Sequence, residues 1–224
     1  MKKNILIRGH VRNSFREEGL VKLLRSLCLE FKCDIYMHAW DVVQTSRSWR
    51  SLEDDNTVVD QEFIRRGMLD VWENVKGLII EDEMSVSLLG DVEKINNSSI
   101  RKNVLLAMKS MFYGKLRLTE HVSGVVEPDD MVFLTRFDVL SNSNSLRHDE
   151  VLDFISNPPV KDERITFLRK QNLSPNGIDN IYCGRAEDMF GFVRHFYTNF
   201  DEIYSRHNGT GYQEHVVFCE RNNF

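Results

Sequence analysis

Glu127-Pro128-Asp129-Asp130-Met131-Val132-Phe133-Leu134-Thr135-Arg136-Phe137-Asp138-Val139-Leu140 is the stretch on which the reading of this chain turns. Pro128 and the acids around it mark a turn, and Met131 to Leu134 then read as a strand buried on both faces. At the end of that strand the pattern breaks into Arg136 and Asp138, with Phe137 between them. Alternate side chains of a strand share a face, so the base and the acid are expected to project together. Open α/β sheets hold their ligands where strands of this kind end. Arg136 and Asp138 are therefore the first candidate site residues.

Working outward, a second such junction lies at the N-terminus. Lys3 to Ile7 reads as a strand, followed by Arg8-Gly9-His10-Val11-Arg12. Ser14 and Glu17 fit a capping box. Leu20, Leu23, Leu24, Leu27, Cys28 and Phe31 recur at helical spacing. Cys33 to Met37 forms the next strand and ends in His38-Ala39-Trp40-Asp41. Strand, helix and strand in this order make a βαβ unit. From Val42 to Ile64 the sequence is rich in Ser, Arg and Asp and reads as a loop able to order on a ligand. A short helix over Phe63–Trp72 and a strand over Gly77–Ile80 follow, closed by Glu81-Asp82-Glu83, which reads as a solvated edge in preference to a metal site.

Ile100 to His121 is the longest periodic segment, with N-cap candidates at Asn97 to Ser99. Its buried face carries Leu105, Met108, Phe112 and Lys115, and a polar face carries Lys109, Tyr113 and Arg117. Beyond the quoted stretch, the pattern gives a loop from Ser141 to Arg147 and a helix over Asp149–Ser156, stopped by Pro158-Pro159. A strand over Arg164–Arg169 and a turn at Ser174–Gly177 come next. They are followed by a strand over Asp179–Gly184, one helix over Ala186–Tyr204, and a Gly-rich turn into a last helix. Without repeat or linker, the 224 residues read as a single α/β domain.

Composition narrows the partners. With 42% hydrophobic and 28% charged residues and a net charge of −5, the chain has the make-up of a globular protein and lacks the basic excess of a nucleic-acid binder. Four cysteines form no C-x-x-C pair, so free thiols in a reducing compartment, the cytoplasm, are expected. The apolar run Ile5-Leu6-Ile7 is too short for a signal peptide or a membrane span. Neither G-x-G-x-x-G nor a P-loop is present, and G-x-S-x-G and H-E-x-x-H are absent as well.

Gly9-x-x-Arg12, His38-Ala39-Trp40-Asp41, Phe112-Tyr113 and Arg136-Phe137-Asp138, taken in that order, carry a resemblance. Together they look like bacterial and viral glycosyltransferases of capsule and lipopolysaccharide assembly, with a GT-A-like fold. Arg136 replaces the first acid of the usual D-x-D motif, as in the R-x-D variants of that group. The resemblance implies a twisted, mostly parallel sheet flanked by helices. It also implies a donor-binding part over about residues 1–140 and an acceptor-side part over about 141–224. A nucleotide-diphosphate sugar such as a UDP-sugar would be the donor, and a glycan or glycolipid the acceptor, with possible peripheral membrane association and no nucleic acid.

Site roles follow from the resemblance and from charge. Gly9, Arg12, Trp40, Asp41, Tyr113, Arg136 and Asp138 would contact the donor, with Asp138 holding Mn²⁺ or Mg²⁺. Arg136 would also clamp the phosphates directly, and both can act together. Asp179, Glu214 and His215 are the candidates to take the acceptor's proton, and His215 or His207 could instead complete a metal shell. A nucleotidyltransferase, a methyltransferase, or a glycan-binding module without catalysis are the competing readings.

Overall fold

The computed structural model describes residues 2–45, 53–140, 146–158, 164–168, 181–209, 213–221 and 223–224, the side chains of Gln213 and Glu214 excepted. The chain opens with β1 (Lys3–Gly9), α1 (Gly19–Phe31) and β2 (Asp34–Trp40). A small hairpin, β3 (Val42–Gln44) and β4 (Asp55–Val58), precedes α2 (Gln61–Gly67), a 3-10 turn over Leu69–Asn74 and β5 (Val75–Glu81). Next come α3 (Lys102–Val122), β6 (Met131–Arg136) and α4 (His148–Ser156). The chain closes with β7 (Ile165–Phe167), β8 (Ile181–Arg185), α5 (Ala186–Thr198), α6 (Phe200–Arg206) and α7 (Gln213–Glu220).

Among the described residues six strands form one sheet in the order β5-β2-β1-β6-β8-β7. The first four are parallel, whereas β8 runs antiparallel to β6 and β7 antiparallel to β8. The sheet is thus mostly parallel with an antiparallel margin. Alternation along the strands sorts the core into two layers. Ile5, Ile7, Ile35, Met37 and Phe133 pack with Leu20, Leu23, Leu24 and Leu27 of α1 on one face. Leu6, Tyr36, Val132 and Leu134 pack with α3 and α5 on the other. That second layer is aromatic, with Phe112 of α3 stacked on Phe196 of α5 at a centroid distance of 4.0 Å.

This topology places the site. From β1 the chain builds outward to β2 and β5 on one side, then returns through α3 to lay β6 on the other. The crossover helices α1 and α3 lie on opposite faces. The carboxyl ends of β1 and β6 therefore flank the point where strand order reverses, which is the crevice where such sheets bind ligands.

Several local expectations are corrected. The segment from Val42 to Ile64 is not simply a loop, because β3 and β4 pair within it and Asp60 caps α2 by accepting from the Phe63 amide at 2.7 Å. Ser14 does not cap α1. Its hydroxyl donates back to the Val11 carbonyl, and the helix starts only at Gly19, after Glu18 in a left-handed conformation. The Asn97 side chain instead organises the turn before α3, accepting from the amides of Ser99 (3.0 Å) and Ile100 (3.2 Å). Lys109, expected on the polar face of α3, is buried and paired with Asp201. The expected single helix over Ala186–Tyr204 breaks at Asn199 into α5 and α6. The Ser174–Gly177 turn lies outside the described residues. No described helix is long and apolar enough to cross a membrane.

Candidate functional site

β1 leaves the sheet through Gly9, whose φ of 103° is one that side chains rarely adopt. A Cβ there would meet nothing within 4 Å, so glycine is required for torsion rather than for space. Arg12 follows with φ 51°, a left-handed conformation that costs a non-glycine residue about 1–2 kcal/mol. Two contacts hold it there. Its amide donates to the Val43 carbonyl at 3.0 Å, and its Nη1 donates to Asp138 Oδ2 at 2.5 Å. Backbone strain enforced by its surroundings is a common mark of functional positions.

Asp138 is the centre of this cluster. β6 ends at Arg136 and a turn follows, closed by the Val139 amide on the Arg136 carbonyl at 3.2 Å. Phe137 and Val139 are both fully buried and anchor that turn. Arg136 and Asp138 do meet, through the turn rather than by strand alternation: Nη2 donates to Oδ2 at 2.6 Å and Nε donates to Oδ1. Burial pushes the Asp138 carboxyl up, but Arg136 and Arg12 outweigh it and hold the acid well below the usual aspartate range. Arg8 on β1 is the register partner of Arg136 on β6. Two guanidiniums and one carboxylate thus gather at the reversal point, with the backbone of Arg8 on the neighbouring strand. Six residues separate Arg12 from Gly19, the first residue of α1.

A second cluster joins β2 and β5 to α3. His38 is fully buried, and its Nε2 lies 2.9 Å from Glu81 Oε2. Glu81 Oε1 accepts from Arg117 Nε at 3.0 Å and from the Tyr113 hydroxyl at 3.4 Å. These partners, His38 foremost and Arg117 with it, lower the Glu81 carboxyl against the opposing effect of burial. Trp40 is buried, edge-on to His38 at 4.8 Å and parallel to Tyr113 at 6.1 Å. The helix comes this close because residue 114 is glycine, where a Cβ would sit 3.0 Å from His38 Nδ1.

A third group bridges the other two. Glu83, only 4% exposed, accepts from the Thr45 hydroxyl at 2.7 Å and lies 3.4 Å from His10 Nε2. Asp41 donates its amide to the Glu81 carbonyl at 3.0 Å, and its carbonyl accepts from Val59 at 2.7 Å. Its carboxyl is raised by burial and by Asp82, while His10 pulls it down.

Of the expected site residues, Gly9, Arg12, Arg136 and Asp138 come together. Trp40, Asp41 and Tyr113 line the adjoining junctions of the same sheet edge. His207 is engaged elsewhere, its Nε2 2.7 Å from Glu220 Oε1, and His215 sits beside the Cys219 thiol at 3.3 Å in α7. Asp179 and the Glu214 side chain lie outside the described residues. The acidic run Glu81–Glu83 is not a solvated edge, since Glu81 and Glu83 each hold a histidine. Their partners lie 43 and 73 positions away in sequence, and no local pattern announces them. Thr45 was hidden in the expected loop. Neither a protein-family model nor a curated protein matches the chain.

Proposed function

We propose that the chain is a glycosyltransferase that moves a sugar from a nucleotide-diphosphate sugar to a surface glycan. The observation that carries this reading is the Arg12–Asp138–Arg136 cluster at the reversal point of the sheet, with Arg8 beside it. A departing nucleoside diphosphate develops negative charge on its phosphate oxygens. Permanently charged guanidiniums, fixed in direction by a shared carboxylate, stabilise that charge without reorganising. Asp138 then serves as the positioning anchor for two arginines.

Direct ligation of Mn²⁺ or Mg²⁺ by Asp138 would set a dication against two guanidiniums that already donate to its oxygens, so like charges would crowd one carboxylate. As these residues stand they do not fit a cation at Asp138, so charge compensation in this proposal runs through Arg12 and Arg136. The acidic group beyond them (Asp41 with Glu83) is chemically suited to hydroxyls, for which carboxylates are acceptors. A donor spanning both groups would have its phosphates on the arginines and its ribose or sugar on the acids.

Thermal scans with a panel of nucleoside diphosphates, each with Mn²⁺ and with a chelator, test this. UDP or a related diphosphate at about a hundred times its Kd should stabilise the fold by about 2.7 kcal/mol, or roughly 5–10 °C. Release of nucleotide from the matching nucleotide sugar should follow. No shift with any nucleoside diphosphate removes the transferase reading. Binding without turnover on any donor favours the glycan-binding or otherwise non-catalytic alternative.

A further inference from the structure

At the opposite edge of the sheet, where α1 ends and β2 begins, two cysteines face each other. Cys28 sits in the last turn of α1 and is partly exposed, while Cys33 is 1% exposed in the apolar layer under that helix. Their sulfurs are 3.2 Å apart. The four residues between them include Lys32 in a left-handed conformation, whose amide donates to the Cys28 carbonyl at 3.1 Å. The Cys33 carbonyl is fixed by the Asn74 side-chain amide at 3.2 Å. Helix end and strand start are thereby both tied, by the Lys32 amide and the Asn74 side chain, in contacts independent of the S–S approach. A disulfide has S–S of about 2.05 Å, so closure asks the two sulfurs to approach by about 1.1 Å, within reach of side-chain rotation.

We propose that Cys28 and Cys33 form an oxidisable dithiol, with Cys28 as the attacking thiol and Cys33 as the resolving one. The oxidant is a low-molecular-weight disulfide of the glutathione class. The Cys28 thiolate attacks one sulfur of that disulfide, and the other sulfur leaves as a thiolate. Cys33 then loses its proton and attacks the Cys28 sulfur, expelling the second thiolate. Two protein thiols are oxidised to one disulfide, and one small disulfide is reduced to two thiols.

The environment assigns the order. Cys28 has the exposed side, next to Leu29 at 79% exposure. The hydrogen bond from Cys33 lowers the Cys28 thiol, whereas Cys33 is pushed up by Cys28 and by burial. Cys183 provides an internal contrast: it is fully buried on β8, and burial pushes its thiol up to about 12.

The test uses the whole chain, folded, in graded ratios of oxidised to reduced glutathione, followed by intact mass and peptide mapping. Wild type should lose about 2 Da and yield a Cys28–Cys33 linked peptide, with Cys183 unmodified. Cys33→Ser should stop at a glutathionyl adduct on Cys28. Cys28→Ser should leave Cys33 at least about tenfold slower to react than Cys28 in wild type. Wild type that halts at the adduct, or that forms no 28–33 link at ratios oxidising an unfolded control, overturns the proposal. Because the readout is covalent mass, the outcome is independent of the transferase reading.

Discussion

Two ion networks stand at the same edge of one sheet, and they are built differently. The His38–Glu81–Arg117–Tyr113 network is braced by regular elements: two adjacent parallel strands supply His38 and Glu81, and α3 lays Arg117 and Tyr113 over them. The Arg12–Asp138–Arg136 network is held mainly by chain that has already left its strands, with Arg12 in a disfavoured backbone conformation and Asp138 in a turn. The first joins a helix to a sheet and has the economy of a structural latch. The second concentrates charge at the point where the strand order reverses, with Arg12 in a left-handed conformation, an arrangement packing alone does not call for.

The largest expected contrast is in stability. Asp138→Ala strands two largely buried guanidiniums and should cost about 3–5 kcal/mol. Glu81→Ala should cost less, about 1–3 kcal/mol, because Arg117 is 39% exposed and can turn to water. Urea melts of both variants check the order, and an equal or reversed cost would show that the two networks are alike in kind.

Nucleotide binding should separate them next. Arg12→Ala should weaken the diphosphate that stabilises wild type by about 10- to 100-fold, from charge-assisted bonds of about 1.5–3 kcal/mol. Arg117→Ala should leave that affinity within about twofold, as expected of a surface-side partner. Isothermal titration gives both values. Equal losses would move the phosphate site toward α3.

The smallest effect is on acid sensitivity. The Asp138 carboxyl is depressed in the folded chain, so its contribution is complete above the ordinary aspartate value of about 3.9 and is lost as pH falls through the folded value. Asp138→Asn should therefore flatten the fall of stability below about pH 4. Glu81 is shifted in the same direction, so Glu81→Gln should flatten it too, but by less, since Glu81 is the more exposed. Stability measured by denaturant at stepped pH distinguishes the slopes.

The parts of the fold readable from sequence are those whose signal is local. Ile5–Ile7, the Leu20–Leu27 stripe, the long α3 and Met131–Leu134 each announce themselves by period or by a continuous apolar run. Arg136 and Asp138 were legible because a charged pair interrupts such a run. The β3–β4 hairpin was not, since Asp55–Val58 lies largely on the surface and carries no alternation for a core to demand. Nor was the break at Asn199, where apolar spacing continues from Phe196 through Phe200 and only the backbone bends. Glu81 and Glu83 were misread for a related reason. A short acidic run looks solvated until the fold brings histidines to it from elsewhere in the chain.

Arg12 uses its main chain to grip the segment after β2 and its side chain to grip the segment after β6. One residue is thus the rivet through two overlapping plates, one carrying β2 and β5, the other β6 and the antiparallel margin. A molecule that draws the guanidinium toward itself tugs on Asp138, while the amide keeps its hold on Val43. A ligand drawing on this guanidinium would therefore reach the turn after β6 through Asp138.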